Sequence, residues 1–138
     1  MKIAADTNVL VRAVIPIRDD GSEDAKQSKR AKALLLDAAS VSVSLMALCE
    51  FAWVLRVGYK FDRSEIASAI RTLLGVPKVE CDRHIAEFGL HVLASGGDFA
   101  DGVIAEAGFL AGADQFVSFD RRAVRLVTAS GRLAAFPD

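Results

Sequence analysis

Five carboxylates in this 138-residue chain stand where side chains could act on a ligand. Asp6 and Asp120 each follow a short apolar run, KIAA at residues 2–5 and QFVSF at residues 115–119, that reads as a strand. Asp98 and Asp101, in GGDFADGVIAEAG, are three residues apart at the start of a helical pattern, so they share one face. Glu50 is the only acid in LMALCEFAWVLRVGY, residues 45–59. An Asp at the end of a strand also caps the following helix as a matter of routine, and a helix N-terminus favours negative charge whatever its use. Both uses are open for Asp120, and Asp98 after Gly96-Gly97 is well placed as a cap. For Asp6, the neighbours Thr7 and Asn8 already offer capping side chains, so a second role is expected. Glu50, expected to be buried among Cys49, Phe51, Ala52 and Trp53, needs a cation such as Arg56 or a metal ion to offset its desolvation. An acidic set without Cys or His at ligand spacing is hard and oxygen-rich, and it suits Mg²⁺ or Mn²⁺ rather than zinc. Such an ion activates water and neutralises a phosphodiester during in-line displacement. Without it the carboxylates repel one another and one or more pKa values rise.

The elements that must position these acids alternate between short apolar strands and helices. After KIAA, the Asp6-Thr7-Asn8 signal opens VLVRAVI, and PIRDDGSED at residues 16–24 is a polar loop. From Ala25 to Ala39 the apolar positions Ala31, Leu34, Leu35 and Ala38 recur at helical spacing among Lys26, Lys29, Arg30 and Lys32. VSVS (41–44) alternates like a strand, and residues 45–59 read as a mostly buried helix closed by Gly58. Asp62-Arg63-Ser64-Glu65 has the form of a capping box. VEC (79–81) is a short strand, Asp82 caps another helix, and a last strand is expected within Leu133–Phe136. The pattern predicts an α/β fold with a mainly parallel sheet between helices, in which ligands bind beyond the carboxyl ends of the strands. No linker, repeat or low-complexity tract divides residues 1–138, so one domain is expected.

Composition narrows the class. Hydrophobic residues make up 52% of the chain and charged residues 25%, which excludes a disordered polymer. No apolar run approaches the ~18 residues that span a bilayer, and Asp6, Asn8 and Arg12 interrupt any signal-peptide core at the amino end. Cys49 and Cys81 alone cannot build a disulfide scaffold, so a reduced, cytoplasmic protein is expected. Cys81-Asp82-Arg83-His84 lacks the second pair a zinc site needs, and Gly96-Gly97 reads as a turn, not a phosphate cradle. With 17 basic against 18 acidic residues, the chain is no strongly basic nucleic-acid binder. If four of the acids are metal ligands, however, the rest of the chain carries a basic excess, and a nucleic acid can approach through the bound cation.

DTNVLVR at the amino end, Glu50 in a mid-chain helix, GGDFADGVIAEAG and FVSFDRRA together resemble the PIN-domain ribonucleases, and among them the VapC toxins of type II toxin–antitoxin modules. The similarity runs from Asp6 to the helix after Asp120. It implies a PIN-like three-layer α/β/α fold around a central, mainly parallel sheet of about five short strands. It also implies a Mg²⁺-dependent endoribonuclease in which metal-activated water hydrolyses RNA phosphodiesters and a cognate VapB-type antitoxin blocks the site. Carried over residue by residue, Asp6 and Asp101 become the principal metal ligands. Glu50 completes the triad, Asp120 is the fourth acid, Asp98 is secondary, and Asn8 and Ser118 are supporting polar groups. A homodimer is implied as well.

Among the basic residues, Arg121, Arg122 and Arg125 adjoin Asp120 and are candidates for RNA phosphate contact, as is Arg12 one turn beyond Asn8. Lys26, Lys29, Arg30 and Lys32 are expected to form a solvated helix face. Leu45, Leu48, Phe51, Ala52, Trp53 and Leu55 make their helix apolar nearly all round, so part of it could meet a second subunit or an antitoxin helix. Two other readings remain at this stage. One is a housekeeping PIN-domain RNA-processing nuclease without an antitoxin. The other is a Mg²⁺-binding receiver-like signalling domain, for which neither the Asp82 region nor the carboxyl tail supplies the phospho-acceptor Asp and distal Lys.

Overall fold

Every helix in the molecule begins on an Asp or Ser whose side chain accepts a backbone N–H of its first turn: Asp6, Ser22, Ser44, Asp62, Asp82, Asp98 and Asp120. These caps satisfy donors that a helix cannot satisfy internally, and they explain why so many Asp residues stand at strand-to-helix junctions. The computed structural model describes residues 1–138. The chain is α/β, with seven helices and five short strands, and it divides into two compact units, Met1–Cys81 and Asp82–Asp138.

In the first unit, β1 (Lys2–Ala4), α1 (Thr7–Val14), α2 (Glu23–Asp37), β2 (Ser40–Ser42), α3 (Leu45–Val57), α4 (Arg63–Leu74) and β3 (Val79–Glu80) follow in order. The strands form one parallel sheet in the order β1-β2-β3, with Ile3 opposite Val41 and Val41 opposite Val79. Parallel pairing requires crossovers, and two helices supply each of them. β1 ends the sheet with Lys2 and Ala4 exposed, so it is less buried than its composition suggests. Leu10, Val41, Leu48, Phe51, Leu55, Ile70 and Leu73 are fully enclosed and form the core of this unit. The capping box at α4 is complete: Asp62 accepts from the Glu65 N–H at 2.8 Å and Glu65 accepts from the Asp62 N–H at 3.1 Å.

The helix predicted from Ala25 to Ala39 runs from Glu23 to Asp37, because Ser22 caps it two residues earlier than the apolar pattern reveals. Ala31, Leu35 and Ala38 are buried as expected, whereas Leu34 is half-exposed. Lys29 and Arg30 pair with Asp19 and Glu23 on the solvated face.

In the second unit, α5 (Arg83–Ala94), α6 (Phe99–Leu110), β4 (Phe116–Val117), α7 (Arg121–Ala129) and β5 (Ala134–Ala135) build a smaller assembly. β4 and β5 pair in parallel with Phe116 opposite Ala134. Ala105, Phe116, Ala123 and Val127 pack together under Phe88, Phe109 and Ala134. α5 and α6 cross closely: a Cβ on Gly102 would stand 2.8 Å from the Cα of Gly89. The turn before α6 uses Gly96 at φ +101°, a conformation that L side chains rarely adopt. The five strands thus lie in sheets of three and two. No helix is long and apolar enough to cross a membrane, and neither Cys49 nor Cys81 is in a disulfide.

Candidate functional site

In the second unit the charges of two candidate acids, Asp98 and Asp120, act on a third, Asp101. Asp98 caps α6 by accepting from the Ala100 N–H at 3.3 Å, and Asp101 lies one turn inside the same helix. Asp120 follows β4 and caps α7, accepting from the Arg122 and Ala123 N–H groups at 2.9 and 3.1 Å. Asp98 and Asp120 are exposed, while Asp101 is half-buried. Burial raises the Asp101 pKa above the ordinary carboxyl value, and the negative charges of Asp98 and Asp120 raise it further. Three carboxylates therefore share one electrostatic neighbourhood although only one of them is withdrawn from water.

Two contacts fix this neighbourhood. The Ser118 hydroxyl accepts from the Asp120 N–H at 3.0 Å, turning the chain out of β4. The Arg122 guanidinium donates to the Gly96 carbonyl at 3.1 Å, which ties the start of α7 to the turn that leads into Asp98. Arg122 thus holds Asp120 through its backbone and the Asp98 turn through its side chain. Arg121 and Arg125 are exposed on α7, beside Asp120 in sequence.

In the first unit, Asp6 follows β1 and its carboxylate accepts from the Thr7 N–H at 2.8 Å. The expectation that Thr7 and Asn8 relieve Asp6 of capping is therefore corrected. Thr7 is buried, and its hydroxyl instead donates to the Ala47 carbonyl at 3.4 Å, joining the start of α1 to the first turn of α3. Glu50 lies three residues beyond Ala47, on the same side of α3. It is exposed, not buried. Because α3 is apolar on most of its circumference, composition could not tell which face the core would take. Leu48, Phe51, Ala52 and Leu55 take it, and Met46, Trp53 and Val57 remain exposed on the face that carries Glu50.

Arg12 and Asn8 line a groove of about 360 Å³ between α1 and α2, together with Val9, Arg30 and Leu34. The Arg12 guanidinium pairs with Asp24 at 3.0 Å and donates to Gln27 at 3.1 Å, so it tethers α1 to α2.

A buried carboxylate that sequence reasoning passed over is Glu106, which accepts from Arg132 at 2.6 Å and pairs with His84 at 3.2 Å. Its only signal in the sequence is a lone acid in the otherwise apolar GVIAEAG. It acts as a strut between α6 and the segment leading into β5.

Asp98, Asp101 and Asp120 offer carboxylate oxygen only, which matches a hard divalent cation by chemistry, and a bound cation would offset the burial and the like charges that raise the Asp101 pKa. No group of three or more His, Cys, Asp or Glu side chains converges into a ready-made cage. Mg²⁺ does not demand one, since it commonly keeps several waters and takes only one or two carboxylates from the protein. Compared with known protein families and with curated proteins, this sequence matches none of them.

Proposed function

We propose that this protein is a Mg²⁺-dependent endoribonuclease, a VapC-like PIN-domain toxin of the cytoplasm that is neutralised by a VapB-type antitoxin. The observation that carries this reading is the half-buried Asp101 carboxylate, held against its charge preference beside Asp98 and Asp120. Asp98 and Asp120 serve the fold as helix caps, but a half-buried Asp101 beside them costs the fold stability that a bound cation would offset. The PIN-like three-layer arrangement belongs to the same proposal, supported by one strand in each of the two parallel sheets that is followed by an acid: β1 by Asp6 and β4 by Asp120.

Asp101 and Asp120 would hold Mg²⁺ in the second unit, with Asp98 as a further acid. Asp6 and Glu50 are the ligands that the resemblance assigns in the first. A bound Mg²⁺ supplies charge neutralisation at the phosphodiester and an acidified water. The protein's own part is to keep Asp101 partly dehydrated, so that its carboxylate gains more from a cation than from water. Ser118 and Arg122 hold Asp120 and the Asp98 turn in place. The apolar Met46, Trp53 and Val57 on α3 are surface that an antitoxin or a second copy of the chain would cover.

The test is direct. Purified protein is incubated with cellular RNA and Mg²⁺, and the cleaved ends are mapped. Defined new ends that disappear with EDTA and with Asp101→Asn support the proposal. An RNA population left intact by a folded, Mg²⁺-loaded protein overturns it.

A further inference from the structure

We infer that Phe119 and Phe136, braced by Arg121, form a base-stacking platform for single-stranded RNA beside Asp120. The inference rests on the ribonuclease reading for its ligand and adds a residue-level basis for strand selectivity. Phe119 directly precedes Asp120 at the end of β4 and is 76% exposed, the most exposed aromatic side chain in the protein. Its ring meets that of Phe136 edge to face, with centroids 5.5 Å apart and planes at 90°. The Arg121 guanidinium carbon stands 4.3 Å over the Phe136 ring. Edge-to-face and cation–π contacts each hold a ring in a defined orientation, so Phe119 is presented to solvent on a fixed support. A Phe left in water contributes little to folding, and here two further side chains are spent on orienting it.

The surroundings select the occupant. Arg121, Arg122 and Arg125 are all exposed on the adjoining helix, and Asp120 is next in the chain. Aromatic rings interleaved with cations are what sequence-tolerant single-strand binding uses: the rings stack on bases and the cations follow the phosphates. A duplex keeps its base faces inside its own stack and cannot use such a ring. A nucleotide stacked on Phe119 would have its backbone near Asp120, the next residue in the chain.

The experiment uses the full chain carrying Asp101→Asn to prevent cleavage, in Mg²⁺ buffer. Fluorescence anisotropy reads its affinity for a labelled single strand of about a dozen nucleotides, enough to fill a typical single-strand site, and for the same strand annealed to its complement. Phe119→Ala should weaken single-strand binding by about 5- to 150-fold, the range that stacking on one aromatic ring supplies. Duplex affinity should stay within about twofold, and Phe119→Trp should restore single-strand binding. An unchanged single-strand affinity, or equal weakening toward both strands, overturns the platform. So does a loss of self-association on Phe119→Ala with RNA affinity intact, which would assign the rings to a protein interface. The two readings separate cleanly. Cleavage by the unsubstituted protein with a KM indifferent to Phe119→Ala removes the platform and leaves hydrolysis, whereas Phe119-dependent single-strand binding by a protein that cleaves no RNA does the reverse.

Discussion

Arg132 donates to Glu106 across 2.6 Å, and the Glu106 carboxylate is almost wholly enclosed. His84 meets the other carboxylate oxygen at 3.2 Å, and Arg132 also lies 4.9 Å over the Phe109 ring. One buried charge on α6 is thereby held from the start of α5 and from the segment before β5. Removing one partner of a buried pair leaves the other charge uncompensated, whereas removing the charge itself does not. Arg132→Ala should therefore lower the unfolding free energy by about 2–3 kcal/mol, below the fully buried range because Arg132 is partly exposed. Glu106→Gln keeps the shape and an acceptor, and should cost less. Urea titrations of the two variants check the ordering, and equal losses would assign the energy to packing.

Asp101 gives a prediction whose sign depends on pH. Its folded pKa is raised, so the folded state binds its proton more tightly than the unfolded chain does. The stability this contributes is full below the ordinary value of 3.8 and is lost as pH rises through the raised value. At neutral pH the ionised carboxylate is a burden, and Asp101→Asn should raise the melting temperature in EDTA. That gain should shrink on acidification toward pH 3.8. Added Mg²⁺ should reverse the ranking, because a ligand at about 100 times its Kd stabilises the folded state by about 2.7 kcal/mol, and only in the protein that binds it. Melting curves with EDTA and with Mg²⁺, at both pH values, test all three expectations. A ranking that ignores Mg²⁺ would exclude Asp101 as a ligand.

Asp6 separates capping from chemistry. Asn caps a helix about as well as Asp, so Asp6→Asn should keep the acceptor for the Thr7 N–H and leave stability within about 0.5 kcal/mol. Asp6→Ala loses the cap and should cost about 1 kcal/mol. RNA cleavage should fall to background in both variants if the carboxylate binds the cation. Activity retained by Asp6→Asn and reduced by Asp6→Ala would mean that Asp6 matters only as a cap. Denaturant midpoints and cleavage assays on the same preparations distinguish the cases.

The element order was legible because its signals are local. Asp62-x-x-Glu65, the alternation of VSVS and the Gly96-Gly97 break each act within a few residues; the first and last appear where the pattern places them, whereas the strand read at 41–44 runs from Ser40 to Ser42 because Ser44 caps α3. Exposure was not legible wherever a segment is apolar on every side. α3 offers the core two competing faces, and Glu50 lies on the one left outside. Pairing between distant residues was equally hidden: nothing near Glu106 in the sequence announces Arg132, and nothing near Phe119 announces Phe136. The clustering of Asp98 and Asp101 follows from helical spacing alone, whereas the effect of Asp120 on Asp101 depends on how β4 and α7 close against α6, a tertiary fact.

The crossing of α5 and α6 ties stability to the candidate site through one backbone position. Gly102 follows Asp101, and a Cβ there would stand 2.8 Å from the Gly89 Cα and 2.9 Å from a Val92 methyl. Two effects oppose each other on Gly102→Ala. Helix propensity favours Ala over Gly by about 1 kcal/mol. Overpacking costs about 1–3 kcal/mol, and it should dominate because one of the atoms in the way is backbone and cannot rotate aside. The variant should be less stable by up to about 2 kcal/mol, the difference of the two effects. Moving α6 off α5 also shifts Asp101 relative to Asp120, so Mg²⁺-dependent cleavage should fall further than the loss of folded protein explains. Adding Gly89→Ala to Gly102→Ala should worsen both defects, since it places a second Cβ 2.8 Å from Phe99 and Val103. Thermal melts and cleavage rates normalised to folded protein decide the matter. A Gly102→Ala protein more stable than the parent by about 1 kcal/mol, with normal cleavage, would show that the crossing has slack and that helix propensity alone governs the site.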